Sequence, residues 1–468
     1  MLFTINKEEE RKNLYHQIYD SLKGSIMNGR LQANEKLPSK RTLAEQLKVS
    51  VNTVTNAYEQ LLAEGYIYTE ERKGYYVENI TPLIREGRVN NQPLPSDLKE
   101  RIQTKEGWLS LSHRTSSISM FPFREWMKCQ QKVITDHQRE LSEYGHFQGP
   151  YILRQTIARM IARTRGVVCE PEQIIIGAGF QYLIRNLIEL SNQNIIAGVE
   201  DPGYIRFYAL LKNMGVDVRA YPLDENGIAI KKVDSNINYL FVTPSHQFPT
   251  GKIMPITRRI ELLNWSIAGP DRYIIEDDYD SEFKYETDNI PSLQSIDRNQ
   301  RVIYIGTFSK TIFPGMRISY MVLPPDMLRQ YRRQHANLKQ TGNLLALYTL
   351  HYFIETGAYA RHVKRMNHHY EIKRKELMRC INDCFGKTVT IEDTRAGLHF
   401  LARFTTNKTY EEVEEKARDE KLEIFTMRQF KFENRADSAG AIDLVMGFAD
   451  IGEEQIPEAV ARLKRVLG

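Results

Sequence analysis

The chain has 468 residues, room for roughly two to four domains and a substantial core. Hydrophobic residues at 41% and charged residues at 26% exclude a largely disordered or fibrous chain, and a net charge of +5 over this length does not by itself identify a polyanionic partner. Four cysteines are too sparse for a disulfide framework, the N-terminus MLFTINKEEERKN lacks an apolar leader core, and no stretch approaches the ~18 uncharged apolar residues of a spanning helix. The expected setting is a reducing cytoplasm, with no membrane partner.

Three zones follow in chain order. Within residues 1–77, Leu14, Ile18, Leu22 and Ile26 recur every four residues and predict a first helix that Gly29 ends. Ser39 is placed to cap a second helix through Leu43 and Leu47, with Lys48 and Val49 as a tight turn. Ser50 then caps a third helix whose apolar face is Val54, Ala57, Tyr58, Leu61 and Leu62, stopped by Gly65. This is a helix-turn-helix pattern, and it leaves Asn52, Thr53, Thr55 and Asn56 projecting outward where a recognition helix meets base edges. Tyr66–Thr69 and Gly74–Val77 predict a hairpin wing with a basic tip at Arg72, Lys73 and Gly74. A three-helix bundle for protein contact fits the helices equally well, and charge does not decide, because acidic and basic residues here are almost balanced.

Residues 78–105 are polar, aperiodic and proline-punctuated, a linker. From residue 106 to 468, short apolar runs such as QIIIGAG, NYLFVTPS, RYIIEDDYD, RVIYIGTFSK and RISYMVLP alternate with amphipathic helices, predicting a mostly parallel α/β sheet. A smaller α+β lobe is expected mainly over 346–468.

The chemistry lies at the strand ends. Lys310 ends the run Gly306–Lys310, with Thr307 and Ser309 beside it and Arg317 seven residues on. An amine for a Schiff base, flanked by hydroxyls and a guanidinium for a phosphate, is what a phosphorylated aldehyde requires. Asp277 is placed to pair with a pyridinium nitrogen, and Tyr279, two residues on and on the same strand face, to reach a phenolate oxygen. Gly179, Phe180 and Gln181 turn from a strand into a helix and present N–H groups to a phosphate, and Tyr204 is placed to stack on an aromatic ring. Asp277, Asp278 and Asp280 also read as a metal-binding carboxylate cluster, but no histidine or second acidic cluster stands beside them in the sequence, so no metal is expected.

The run LPSKRTLAEQL, VSVNTVTNAYEQLLAEGYI and GYYV closely resembles the winged helix-turn-helix of GntR-family transcriptional regulators. The resemblance implies double-stranded operator DNA as partner, with Ser39 and Arg41 on phosphate, Asn52 and Thr53 near the DNA, and Lys73 and Gly74 at the wing tip. Val51 stands where the family often has Arg. Residues 108–468 resemble fold-type I pyridoxal-phosphate enzymes of the aspartate aminotransferase superfamily, through Tyr144-Gly145, Gly149, Leu153-Arg154, DPGY, TPSHQFPTG, EDDYDSEF and GTFSK with Arg317. Together the two halves look like the MocR/GabR subfamily. That implies pyridoxal 5′-phosphate on Lys310, a head-to-tail homodimer, and an amino acid or amine effector, of γ-aminobutyrate type in the GabR branch, forming an external aldimine. Superfamily members hold the effector carboxylate with a small-lobe arginine, and the candidates are Arg428 and Arg206, with Gln429 standing where related sequences place the guanidinium. Phe248 replaces the Asn of the aminotransferase Asn-Pro-Thr-Gly segment, removing a donor to the phenolate. The alternative reading is a working aminotransferase that also binds DNA; a vestigial site is a third.

Overall fold

The computed structural model describes residues 14–80, 93–100, 106–113, 117–191, 195–286, 290–392, 395–432 and 440–468. The chain divides into two compact units, Met1–Thr104 and Lys105–Gly468. The N-terminal segment 1–13, and residues 81–92 and 101–105 of the expected linker, lie outside the described residues.

In the first unit α1 (Leu14–Met27), α2 (Lys40–Leu47) and α3 (Val51–Ala63) precede the antiparallel hairpin β1 (Ile67–Glu70) and β2 (Gly74–Val77). Ile18, Leu22 and Ile26 of α1 meet Val54, Ala57, Tyr58 and Leu61 of α3 in one core. Leu62, expected on that face, is 39% exposed. At 100° per residue it lies one step past Leu61, beyond the edge of the stripe. Lys48 takes the left-handed conformation that closes α2, with φ 53°.

The second unit begins with β3 (Leu109–Ser110), α4 (Phe123–Asp136), α5 (Gln138–Ser142) and α6 (Tyr151–Arg165). Strand and helix then alternate through β4 (Ile174–Gly177), α7 (Phe180–Glu189), β5 (Ile196–Asp201), α8 (Ile205–Asn213), the hairpin β6 (Asp217–Asp224) and β7 (Gly227–Ile228), β8 (Tyr239–Val242), α9 (Ile256–Ile267), β9 (Tyr273–Asp278), β10 (Val302–Thr307), β11 (Ser319–Val322) and α10 (Pro325–His335). The eight strands order β4-β11-β10-β9-β8-β5-β6-β7, with β11 antiparallel to both neighbours and β6, β5, β8, β9 and β10 parallel. Their interiors, such as Ile274 and Ile275 of β9 and Ile303 and Ile305 of β10, are fully buried because helices cover both faces. A parallel sheet brings its strand ends to one edge, and the loops after β4, β5, β8, β9 and β10 gather there.

The remaining elements are α11 (Leu344–Glu355), α12 (Ala358–Phe385), β12 (Val389–Glu392), β13 (His399–Thr405), α13 (Tyr410–Asp419), β14 (Leu422–Glu423), β15 (Ala441–Gly447) and α14 (Ile456–Leu467). The antiparallel sheet β12-β13-β15 shares a core with α12, α13 and α14. The small lobe does not follow the expected boundary at 346. Leu347, Leu350, Phe353, Ala358 and Tyr359 pack with Trp126, Leu153 and Ile157 of the large lobe. The small-lobe core instead starts at Met366, midway along α12, and takes in Leu109 and Leu111, which reach it because β3 pairs with β14. A 28-residue helix, about 42 Å long, spans both cores.

Candidate functional site

Two surfaces carry the predicted residues. On the first unit, burial of Val54, Ala57, Tyr58 and Leu61 leaves Asn52 and Asn56 exposed and Thr53 and Thr55 half-buried on the opposite side of α3. Both helix starts are capped by hydroxyls: Ser39 Oγ accepts from the Thr42 N–H at 3.1 Å, and Ser50 Oγ from the Thr53 N–H at 3.1 Å. Ser39 and the neighbouring Arg41 are exposed at the amino end of α2, whose dipole favours an anion. The wing tip is less basic than expected. Lys73 Nζ sits 2.9 Å from Glu70 Oε2, because a tight turn at Arg72, with φ 60°, folds position 73 back over position 70.

On the second unit, the strand ends converge on a cavity of about 510 Å³. Tyr204, Arg206, Phe180, Gln181, Asp277, Tyr279, Thr307, Ser309, Lys310 and Arg317 all line it. Period-2 alternation separates the carboxylates of the Asp run. Asp277 faces the cavity, whereas Asp278 points to the other side of β9, where it pairs with buried Arg165 at 2.7 Å and accepts from the Tyr304 hydroxyl. Asp277 makes no hydrogen bond among the described residues. Burial, reinforced by the charges of Asp278, Asp280 and Glu200, pushes its carboxyl up to about 8. Glu200, buried behind the β5 end and bonded to Thr243 at 2.7 Å, is raised to about 7 by burial. Lys310 lies half-buried opposite, its Nζ donating to the His113 carbonyl at 2.7 Å. Burial brings its amine down to about 8, with Asp280 opposing.

At one end of the cavity α7 starts at Phe180, capped by Gly179 with φ +99°. A Cβ at Gly179 would lie 2.4 Å from Arg317 Nη2, so only glycine lets the guanidinium reach the helix start. Thr307 Oγ1, Ser309 Oγ and Ser319 Oγ form a hydroxyl chain alongside, with links of 3.0 and 2.8 Å. Helix N–H groups, hydroxyls and a guanidinium together make an anion cradle.

The structure does not bring Arg428 to the cavity. In the 3₁₀ turn Met427–Phe430, Met427 and Phe430 are the buried positions, so Arg428 and Gln429 face outward and pair with Glu411 and Glu414 of α13. Of the two arginines expected near an effector carboxylate, Arg206 alone lines the cavity.

Sequence reasoning assigned no role to His246 or His399 and weighed Asp280 only within a carboxylate cluster, yet these three buried side chains come together beneath Tyr279. The expectation that no histidine accompanies the acidic run is therefore overturned, since His246 arrives from the loop after β8 and His399 from β13. His246 Nδ1 is 2.9 Å from Asp280 Oδ2 and 2.9 Å from the Tyr279 hydroxyl. Burial holds His399 well below the usual imidazole range, with His246, His113 and Lys310 adding to the effect. The signal was present in the segments TPSHQF and GLHFLARF, but nothing in spacing links them. Phe248 lines the wall, its ring 6.0 Å from that of Tyr279 and at 89° to it, and brings no donor.

Residues 14–77 match the gntR family of bacterial regulatory proteins, and residues 113–463 match aminotransferase class I and II. The chain is 36% identical over 452 residues to the uncharacterized HTH-type transcriptional regulator YdeL of Bacillus subtilis, covering 96% of each chain. It is 31% identical to the probable rhizopine catabolism regulatory protein MocR of Rhizobium meliloti, over 96% of this chain and 93% of that one. Among solved structures, an archaeal alanine:glyoxylate aminotransferase superposes with a TM-score of 0.68 at 19% identity, over 77% of this chain and 90% of that one, a likeness of fold. A gntR head followed by a class I and II aminotransferase fold, both matched along nearly the whole length of a MocR regulator, places this chain in the MocR type of the GntR family of transcriptional regulators.

Proposed function

We propose that this regulator binds operator DNA through α3 and the wing, and senses an amino acid or amine through pyridoxal 5′-phosphate held in the second unit. The observation that carries the reading is the pocket's donor set. One cavity holds an amine lowered to about 8, a carboxyl raised to about 8 with no partner among the described residues, and an anion cradle. Class I and II aminotransferases use this cofactor, and its aldehyde, ring nitrogen and phosphate match those three features.

Asp277 suits the ring nitrogen, since a cation there supplies the charge that the buried carboxyl lacks. Phe180 and Gln181 N–H groups, Thr307, Ser309 and Arg317 suit the phosphate. Tyr204, 40% exposed at the cavity rim, offers a face for the ring, and Tyr279 a hydroxyl for the phenolate. When bound, the cofactor supplies an aldehyde that amines add to and a ring that accepts electrons. Lys310 contributes the amine: its lowered value leaves a usable unprotonated fraction near neutral pH, which an ordinary lysine lacks. Arg206 suits the carboxylate of an effector, so amino acids with one carboxylate reachable from Lys310 fit better than simple amines. Assembly as a head-to-tail homodimer and a cytoplasmic setting belong to the same reading. A ligand shifts DNA affinity only through its different affinity for the two states of the regulator.

The test is the visible spectrum of purified protein with added pyridoxal phosphate, titrated with amino acids and amines, with Lys310→Ala as control. A Lys310-dependent band that one amine shifts and holds, together with a changed operator affinity, is the expected result. Conversion to the aminated cofactor that a keto acid reverses over many turnovers would favour the aminotransferase reading. No band at all would leave only the DNA-binding part.

A further inference from the structure

Tyr279 is held from behind by a pair of residues that neither DNA binding nor the donor set accounts for. Its hydroxyl donates to the His246 carbonyl at 3.0 Å and lies 2.9 Å from His246 Nδ1. The same Nδ1 lies 2.9 and 3.2 Å from the two oxygens of Asp280, so its hydrogen is shared between a carboxylate and the tyrosine oxygen. His246 Nε2 is buried with no hydrogen-bond partner among the described residues. A bare lone pair there costs less than a buried N–H without an acceptor, and the two oxygens beside Nδ1 call for a donor, which puts a hydrogen on Nδ1.

The imidazole has little freedom. Asp280 Oδ2 also accepts from the Leu398 N–H at 3.3 Å, and the His399 ring packs 4.5 Å from that of His246. Gly397 presses its backbone onto the pair with φ +75°, where a Cβ would fall 2.0 Å from His246 Cε1 and 2.6 Å from Asp280 Oδ2. Phe248 offers Tyr279 an edge-to-face contact and no hydrogen bond. The polar support for the phenol therefore comes from His246 and Asp280.

We infer that His246, fixed by Asp280, is a positioning residue for Tyr279: its Nδ1–H holds the phenol oxygen in place while the hydroxyl hydrogen is left to turn from the His246 carbonyl toward an anionic oxygen in the pocket. The inference rests on the reading of the cavity as a pyridoxal-phosphate site, whose phenolate is that oxygen. A donor at the phenolate draws charge away from the neighbouring nitrogen bound to the cofactor and lowers its proton affinity. With Phe248 unable to donate, Tyr279 carries that task, and the pair behind it replaces a second donor with rigidity and polarisation.

The test is a pH titration of the Lys310-dependent visible band in the full chain loaded with pyridoxal phosphate. The charges of Asp280, Asp277, Glu200 and Asp278 act on Tyr279, and His399, His113 and Lys310 lie close by. These are unchanged in the variants compared. Tyr279→Phe is expected to raise the midpoint by about 1 pH unit or more, and His246→Leu and His246→Gln, whose amide falls near Nε2 and leaves Nδ1 unreplaced, to raise it part of the way. His246→Asn, whose amide N–H falls near the lost Nδ1–H, should restore the wild-type midpoint. In the Tyr279→Phe background, His246→Leu should add nothing, a coupling that general loosening of the site would not produce.

A wild-type midpoint in His246→Leu beside a shifted Tyr279→Phe overturns the inference and leaves the cofactor reading intact. If the leucine variant does not fold, an unshifted His246→Gln overturns it equally. Absence of any Lys310-dependent band in the wild type overturns the cofactor reading and the inference with it.

Discussion

The two halves of this regulator place their functional groups by opposite means. In the first unit, α3 alone decides what faces outward: the same turn of helix that buries Val54 and Tyr58 exposes Asn52 and Asn56, and water solvates them. In the second, Asp277, Lys310 and Gly179 come from the ends of three different strands and meet where water is scarce. Within the cavity the carboxyl and amine are displaced toward each other, both to about 8. A recognition surface therefore depends on local capping and periodicity, and a cofactor pocket on tertiary convergence that strains its own charges until a ligand relieves them. Each variant below tests one side of that contrast.

The largest effect belongs to Gly179→Ala. The methyl would lie 2.4 Å from Arg317 Nη2 on a backbone with φ +99°, so the guanidinium must withdraw from the start of α7. Losing a charge-assisted contact to a phosphate and straining the cap lowers pyridoxal-phosphate affinity on the order of 100-fold. Equilibrium titration of the visible band measures this, and operator binding in the absence of cofactor should stay at the wild-type value. Equal losses in both would show that the anion cradle does more than hold a ligand.

Asp277→Asn comes next and separates charge from shape. With no cofactor bound, the folded carboxyl stays neutral until about pH 8, whereas the unfolded one ionises near its ordinary value of 3.8. The raised value means that stability is fully present below pH 4 and is lost as pH rises through 8. Asn has no charge to bury, so the variant without cofactor should be more stable than the wild type by about 1–3 kcal/mol at pH 9, and nearly equal to it at pH 4. Denaturant melts at the two pH values check the sign. Bound pyridoxal phosphate should reverse the order at pH 9, because the ring nitrogen then needs the carboxylate.

How much of this was legible in the sequence follows the same contrast. The caps Ser39 and Ser50, the hairpin and the strand-end lysine are local features, and residue spacing alone located them. Arg428 was misjudged because the inward positions of a short 3₁₀ turn go to the larger apolar residues, and no periodicity announces which two of four they are. His246, Asp280 and His399 were invisible as a group, since they lie on three segments that only the folded sheet and small lobe bring together. The lobe boundary failed for a related reason: α12 is one continuous helix that belongs to two cores, so its composition changes at no point that marks the division.

On the helical side, Ser50→Ala removes the cap that satisfies the Thr53 N–H and should cost the first unit about 1 kcal/mol. The expected signature is an earlier melt of that unit alone, with the visible band of the loaded second unit unchanged. An equal loss in both units would mean that they unfold together.

The smallest effects lie at the wing, where charge is nearly cancelled. Lys73 is exposed and faces Glu70 at 2.9 Å, so the tip presents less positive potential than its sequence implies. If Lys73 reaches a DNA phosphate, it exchanges one anion for another, and Lys73→Ala should lower the salt dependence of operator binding by about one unit of log–log slope, with no change in preference between operators. Glu70→Gln acts in the opposite direction: it releases Lys73 and should raise affinity, most at low salt, where such pairs are least screened. A slope that neither variant alters would take the wing off the DNA backbone and leave contact to Ser39, Arg41 and the outer face of α3, making the first unit a surface read by its helices alone.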